Sequence, residues 1–387
     1  PIKYDQIEKL KNINGIVWLQ KSINLTADII YKMNQEPIYL HLGTIVDADE
    51  VWVNKTKVGA TAYQYPPRKY LIPSGVLKEG KNTITIRHFI HDSQGEFTAT
   101  KPYHIKTKSK NIQISLRGEW DYEIGATATP QPPMTFFTRK PTALYYSMIH
   151  PLKKHKIKGI LWYQGESNVG DEDYGVLFQE MIGSLREAFG SKDLPFAFVQ
   201  LVNYGRPEIS GAPGEWAKFR LEQEKGLDLE KVAMVVSIDQ GEAYDIHPVR
   251  KKALGQRLAA SMEHLLNGGS QNYKGPILTK IVEKDNEWIL EFDYVGEGLK
   301  IKKPLYFSLY CEMEENNSQT KSKVWIQLKG SLKSPNQISI KRPKNSLNIY
   351  KLSYAHLDNP KYVALYNSKG FPCRPFVHTF NNKNPKI

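Results

Sequence analysis

The chain has 387 residues, enough for two or three domains with ordinary cores, and its 40% apolar and 24% charged content is that of a globular protein. No apolar run approaches the roughly 20 residues needed to cross a bilayer, so no membrane span is expected. Lysine and arginine outnumber aspartate and glutamate 53 to 40, but they are scattered instead of forming a block or a helical stripe, which argues against a nucleic-acid partner.

From about residue 14 to 106 the text is strand-like, with short runs rich in Val, Ile, Trp, Tyr and Thr broken by turn residues. Runs at 15–19, 38–43, 50–53 and 82–88, separated by Asn54-Lys55, Pro73-Ser74-Gly75 and Lys78-Glu79-Gly80, predict a β-sandwich or jelly roll over residues 10–112. From Pro141 the rhythm changes. A helix at 142–153, a strand at 159–163, a helix at 173–189, a strand at 195–202, a helix at 215–225, a strand at 232–239 and a helix at 249–266 alternate. Strand runs that are apolar throughout, each followed by a helix, predict parallel strands covered on both faces, a three-layer α/β domain over 113–272. Strand patterns return at 280–292, 305–310, 324–328, 338–341 and 362–367, a β-rich region over 273–387.

Cys311 and Cys373 form no C-x-x-C pair and have no histidine cluster nearby, so no metal site is expected, while a single disulfide stays open. The chain starts at Pro1 without a charged-then-apolar leader, which suggests that something upstream has been removed.

Ligands of an open α/β sheet bind beyond the carboxyl ends of its strands. Two such places are crowded with polar groups: Gln164-Gly165-Glu166-Ser167-Asn168 after the strand ending at Tyr163, and Gln240-Gly241-Glu242-Ala243-Tyr244-Asp245-Ile246-His247-Pro248 after the strand ending at Asp239. In an extended stretch Asp245 and His247 face one side, so the carboxylate can orient the imidazole as a general base, the partner-plus-base half of a serine triad. Pro248 suits the first turn of the following helix. Taken alone, D-x-H reads first as a helix cap beside a surface histidine.

The Gln164 amide can donate to a developing oxyanion or brace its loop. Glu166 is a supporting carboxylate or a loop cap. Ser167 follows Gly165-Glu166 as in half of a nucleophile elbow, but Val169 stands where that elbow needs glycine. Asp239 and Glu242 are spare acids that could replace Asp245. Trp216, Arg220 and Gln223 share a helix face, on which Arg220 could meet a substrate carboxylate or simply pack against the sheet.

Read together, these blocks resemble the sialate O-acetylesterase family, a branch of the SGNH hydrolases. The likeness is carried by 159–168, by Pro195-Phe196 with Val199-Gln200-Leu201, by Asp239-Gln240-Gly241-Glu242 with Asp245-Ile246-His247-Pro248, and by Leu365-Tyr366-Asn367 with Gly370-Phe371-Pro372. The resemblance implies a three-layer, flavodoxin-like hydrolase domain interrupted by a galactose-binding-like jelly roll. It carries the catalytic histidine onto His247, its acid partner onto Asp245 and the side-chain oxyanion donor onto Gln164. It further implies an acetylated carbohydrate as substrate, no cofactor, and a secreted, periplasmic or lysosome-like location. The family nucleophile lies in a Gly-Gln-Ser-Asn-type block before the jelly roll, and no such block occurs between Pro1 and Ile387. The serine is therefore expected on an upstream fragment of the same polypeptide. The other readings are a carbohydrate-binding or catalytically incomplete fragment, or an esterase of another acetylated polysaccharide.

Overall fold

The computed structural model describes residues 3–91, 94–109, 111–130, 140–269, 273–314, 321–344 and 346–380. The chain divides into two units, Pro1–Phe137 and Thr138–Ile387.

The first unit contains β1 (Gly15–Leu25), helix α1 (Ala27–Met33), β2 (Ile38–Leu42), β3 (Ile45–Val46), β4 (Ala48–Val53), β5 (Thr56–Thr61), β6 (Lys69–Ile72), β7 (Gly80–Ile90), β8 (Glu96–Phe97), β9 (Tyr103–Thr107), β10 (Gln113–Ser115) and β11 (Asp121–Thr127). Inside–outside alternation makes these strands: β7 buries Asn82, Ile84, Ile86, His88 and Ile90 and turns the residues between them away from the core. Its main sheets run in the orders β11-β1-β7-β4-β5 and β10-β9-β2-β6. Val17, Val51, Ile84, Ile86, Leu40 and Ile105 share one apolar core. β10 and β11 were expected at the start of the α/β part, but they pair with β9 and β1 and belong to this unit. Nothing local in 113–127 distinguishes the two outcomes, because only the long-range partner decides it.

Inside this unit the side chains of Arg68 and Asp49 are both 0% exposed and meet at 2.5 Å. Arg68 also donates to the carbonyls of Ile45 and Asp47, and the Tyr70 hydroxyl donates to Asp49 at 2.7 Å. Burial pushes the Asp49 carboxyl above its ordinary value, against the pull of Arg68. Removing one partner strands a buried charge, so Asp49→Ala is expected to lower the unfolding free energy by about 3–5 kcal/mol, read from urea melts of the first unit's transition.

The second unit begins with β12 (Ile160–Trp162), helix α2 (Tyr174–Ala188), β13 (Phe196–Val199), α3 (Glu215–Glu224), β14 (Val232–Val235) and α4 (Lys252–Asn267). The three strands are parallel in the order β12-β13-β14, with Phe196 opposite Ile160 on one side and Val232 on the other. Phe196 and Phe198 pack with Phe178 and Ile182 of α2 and with Trp216 and Phe219 of α3, whereas Val199 and Val235 pack with Leu254 of α4. Helices thus cover both faces. The α2 residues buried at Tyr174, Phe178, Ile182 and Arg186 follow helical spacing, as expected for a one-sided amphipathic helix.

Two expectations for this stretch fail. Residues 142–153 form no ordinary α-helix, only a π-type turn at Tyr145–Ile149 and a 3-10 turn at His150–Leu152. Its apolar residues Leu144, Tyr146, Met148 and Leu152 are 47%, 63%, 60% and 47% exposed, so the packing that stabilises a protein helix is missing among the described residues. Helix α4 starts at Lys252, leaving Pro248 in the preceding loop instead of the first turn.

The remaining strands are β15 (Ile277–Lys284), β16 (Glu287–Asp293), β17 (Lys300–Ile301), β18 (Tyr306–Glu314), β19 (Lys321–Ser334), β20 (Gln337–Lys341), β21 (Ser346–Tyr354), β22 (Leu365–Tyr366) and β23 (Phe376–Thr379). Seven of them form one antiparallel sheet, β15-β16-β20-β19-β18-β21-β23. The single strand expected at 280–292 is a hairpin, because Asp285 takes a positive φ of 53° and reverses the chain between β15 and β16. Cys311 and Cys373 are both buried and free, so no disulfide links them. No helix among the described residues is long and apolar enough to cross a membrane.

Candidate active site at the carboxyl ends of the parallel strands

The loop after β12 turns sharply at Gly165. This residue holds φ 148°, and a Cβ added there would lie 2.8 Å from the Phe219 ring, so only glycine fits between the loop and α3. Beyond it Gln164, half-buried, donates from Nε2 to the Asn168 Oδ1 at 2.8 Å, while its Oε1 accepts from the Tyr174 hydroxyl at 3.4 Å. Asn168 in turn donates to Asp171 at 2.9 Å. The Gln164 side chain is therefore oriented from both ends, and among the described residues its second amide hydrogen has no partner.

The loop after β14 is pinned at its base and open at its tip. Asp239 receives both terminal nitrogens of Arg257 from α4, at 2.7 and 2.8 Å. Burial pushes its carboxyl up, but the hydrogen bonds and charge of Arg257 outweigh that and hold it below the ordinary carboxylate value. Engaged on both oxygens, Asp239 serves to clamp the loop to α4, which removes it as a stand-in for the acid partner of a histidine. Gly241 lies against the next loop: its N–H donates to the Asn203 Oδ1 at 2.8 Å, and an added Cβ would come within 1.9 Å of the Asn203 carbonyl oxygen. At the tip, the Asp245 Oδ1 accepts the backbone N–H of His247 at 2.9 Å, an Asx-type turn. This differs from the expected extended arrangement, in which the carboxylate meets the ring. His247 is exposed, and among the described residues its ring nitrogens have no hydrogen-bond partner. Glu242 forms an isolated backbone bridge with Asp245, which closes the tip.

Lys251 joins the two loops. Its ammonium lies 3.2 Å from the Tyr163 hydroxyl and 4.3 Å from that ring's centre. Burial holds Lys251 below the ordinary lysine value, while the charges of Glu166 from one loop and Asp245 from the other act in the opposite sense. Burial also raises the Tyr163 hydroxyl to about 12, with Glu166 adding to the effect. Charges from both loops, Glu166 and Asp245, thus act on one cation at the carboxyl ends of β12 and β14, where ligands of such sheets bind.

Arg220 is not at the surface of this site. It is 1% exposed, and Nε, Nη1 and Nη2 donate to the carbonyls of Leu201, Val202, Leu357 and Asp358. Burial lowers it to about 10. The expected contact with a substrate carboxylate is therefore corrected, since no donor of Arg220 faces solvent. Its companions Trp216 and Gln223 are likewise buried against the sheet.

Sequence reasoning missed Asn203, Asn359 and Lys251. Asn203 donates to Asn359 at 2.7 Å, and Asn359 donates to the Gly205 carbonyl at 2.6 Å. The position of Asn203 just past β13, the third strand end, was the available signal. Among the described residues no group of three or more His, Cys, Asp or Glu side chains could hold a metal ion.

Residues 126–264, which contain both loops, match the family described as carbohydrate esterase, sialic acid-specific acetylesterase. This segment is similar to that family. Sialate O-acetylesterase of Mus musculus is 30% identical over 176 residues, 40% of this chain and 32% of that protein. The Homo sapiens sialate O-acetylesterase is 25% identical over 269 residues, 64% of this chain and 50% of that protein. The chain thus spans a third to a half of the length of these curated relatives. A solved carbohydrate acetylesterase from Xanthomonas citri covers 89% of this chain and 95% of its own with TM-score 0.52 and 19% identity, a likeness of fold.

The clamp at Asp239 has a pH signature. Because its folded-state pKa is depressed, the pair adds stability above the ordinary carboxylate range and loses it as pH falls through the folded value. Asp239→Asn is expected to lower the melting temperature near neutrality, and the gap to wild type should close in acid; a gap independent of pH in a calorimetric series would contradict the clamp.

Proposed function

We propose that this chain is the histidine-bearing part of a carbohydrate O-acetylesterase of the SGNH type, acting on O-acetylated sialic acid. The observation that carries the reading is the convergence of the Gln164 and His247 loops on Lys251, inside the segment that matches the sialic acid-specific acetylesterase family. In this reading the parallel part, with helices on both faces, is a three-layer hydrolase domain, and the first unit is its jelly roll.

The nucleophile in this scheme is a serine from an upstream fragment of the same polypeptide. What supports a docking place for it is the edge of the parallel sheet: β12 has a neighbour only at β13 among the described strands, Leu161 is 55% exposed, and the apolar residues of 144–152 lie uncovered. An added parallel strand would pair with that edge and bury those side chains.

The serine hydroxyl attacks the acetyl carbonyl while His247 takes its proton; the same proton then goes to the sugar oxygen as the ester bond breaks, and water repeats the cycle to release acetate. Asp245 orients and stabilises the imidazolium after the ring swings from its open position onto the free carboxylate oxygen. Hydrogen bonds of this kind commonly tighten only once substrate is bound. The Gln164 amide holds the oxyanion. Glu166 and Glu242 support the two loops. The chemistry needs no organic cofactor, and a secreted, periplasmic or lysosome-like setting fits an enzyme that acts on glycans.

In the complete protein, His247→Ala should abolish acetate release from acetylated sialic acid, and Gln164→Ala should lower kcat by about 100–1,000-fold with little change in KM. Unchanged turnover of 4-nitrophenyl acetate by His247→Ala would refute the assignment. This chain produced alone should be inactive and should regain activity when produced together with the upstream segment of its gene.

A further inference from the structure

The sheet β11-β1-β7-β4-β5 of the first unit buries Val17, Leu19, Ile84, Ile86, Val51 and Val53, so the residues between them form its other face. There Trp18 stands opposite Arg87 and Gln20 opposite Thr85, which in turn stands opposite Trp52. The two indoles are 5.8 Å apart and tilted by 36°, and the Arg87 guanidinium lies near both. A groove of about 710 Å³ runs over Trp18, Trp52, Gln20 and Thr85 and is rimmed at one end by Lys55, Lys78 and Lys81. It continues past Trp18 into a hollow of about 330 Å³ edged by Asp121 and Glu123.

We propose that this groove binds an acidic oligosaccharide. Indole faces pack against the C–H faces of pyranose rings, while Gln20 and Thr85 offer an amide and a hydroxyl for ring hydroxyls. The three lysines are exposed and form no ion pair among the described residues, whereas Lys57 on the same sheet is paired with Glu50. Their loop is built, not loose. Buried Asn82 accepts from the Lys78 N–H at 2.8 Å and donates to the carbonyls of Lys78 and Gly80, and Asn54 donates to Asn82 and to the Val76 carbonyl. The backbone that carries the three lysines is therefore fixed at the end of the groove, and their ammonium groups are partners for a sugar carboxylate. A nucleic acid fits less well, since its phosphates would run from the lysines onto Asp121 and Glu123. The inference does not rest on the esterase reading, because His247 and Gln164 lie in the other unit.

The test is titration of the intact chain with trimers of sialic acid and of galacturonic acid, followed by tryptophan fluorescence and calorimetry. Saturable binding is expected for at least one. Trp52→Ala should weaken it at least about tenfold. The exposed double variant Lys55→Ala/Lys81→Ala should weaken it and flatten its salt dependence while leaving the melting temperature unchanged. His247→Ala should bind as wild type does. Absence of saturable binding, or full affinity in the double lysine variant, would overturn the proposal. So would equal affinity for a neutral glucose or N-acetylglucosamine trimer, or a tighter complex with single-stranded DNA.

Discussion

The guanidinium of Arg220 lies inside the second unit and donates to two carbonyls just past β13, Leu201 and Val202, and to two in the C-terminal region, Leu357 and Asp358. A charge this deeply buried is tolerated because carbonyl dipoles surround it; without it the Leu201 and Leu357 carbonyls would lose their donor, whereas Val202 keeps Trp216 Nε1 and Asp358 keeps the Tyr204 N–H. Through it the loop at 356–361 is held against the strand ends. The Asp358 carboxylate adds a contact to the N–H of Ala217 at the start of α3, and Asn359 ties Asn203 and Gly205. The C-terminal β region thus braces the loop after β13, and through Asn203 that loop also holds Gly241 of the loop after β14.

On that brace the candidate site has a graded rigidity. Gly165, Gly241, Asp239 and Asn203 are fixed by contacts that tolerate no added atom or by paired hydrogen bonds. Gln164 is oriented but keeps one donor. His247, at the exposed tip of a short Asx-type turn, is the least constrained. On the proposed reading this ordering suits a base at His247 that must reorient and an oxyanion donor at Gln164 that stays put.

The alternation of apolar strands and helices from 159 to 267, and both polar loops, were legible because each signal is local: period, strand length and glycine-rich turns. The roles of Arg220 and Asp239 were not, because exposure and engagement depend on partners far along the chain, Leu357 for one and the α4 residue Arg257 for the other. Helical periodicity at 142–153 carried no information on whether a surface exists to receive that face. The start of α4 was misplaced for a related reason: Pro248 suits a first turn, but the Asp245 carboxylate engages the His247 N–H in a separate turn and the helix begins only at Lys252. The hairpin at Asp285 went unread because the charged run around it resembles the polar side of one long strand.

The two thiols of the second unit sit deep in its antiparallel part, Cys311 on β18 and Cys373 with its Sγ directed at the Arg374 carbonyl. Burial pushes both above the ordinary cysteine range, so at neutral pH they stay protonated and shielded from oxidants. In an oxidising compartment the folded chain therefore keeps two latent nucleophiles, which emerge only when that sheet opens. Intermolecular crosslinking through sulfur would then record past unfolding instead of causing it.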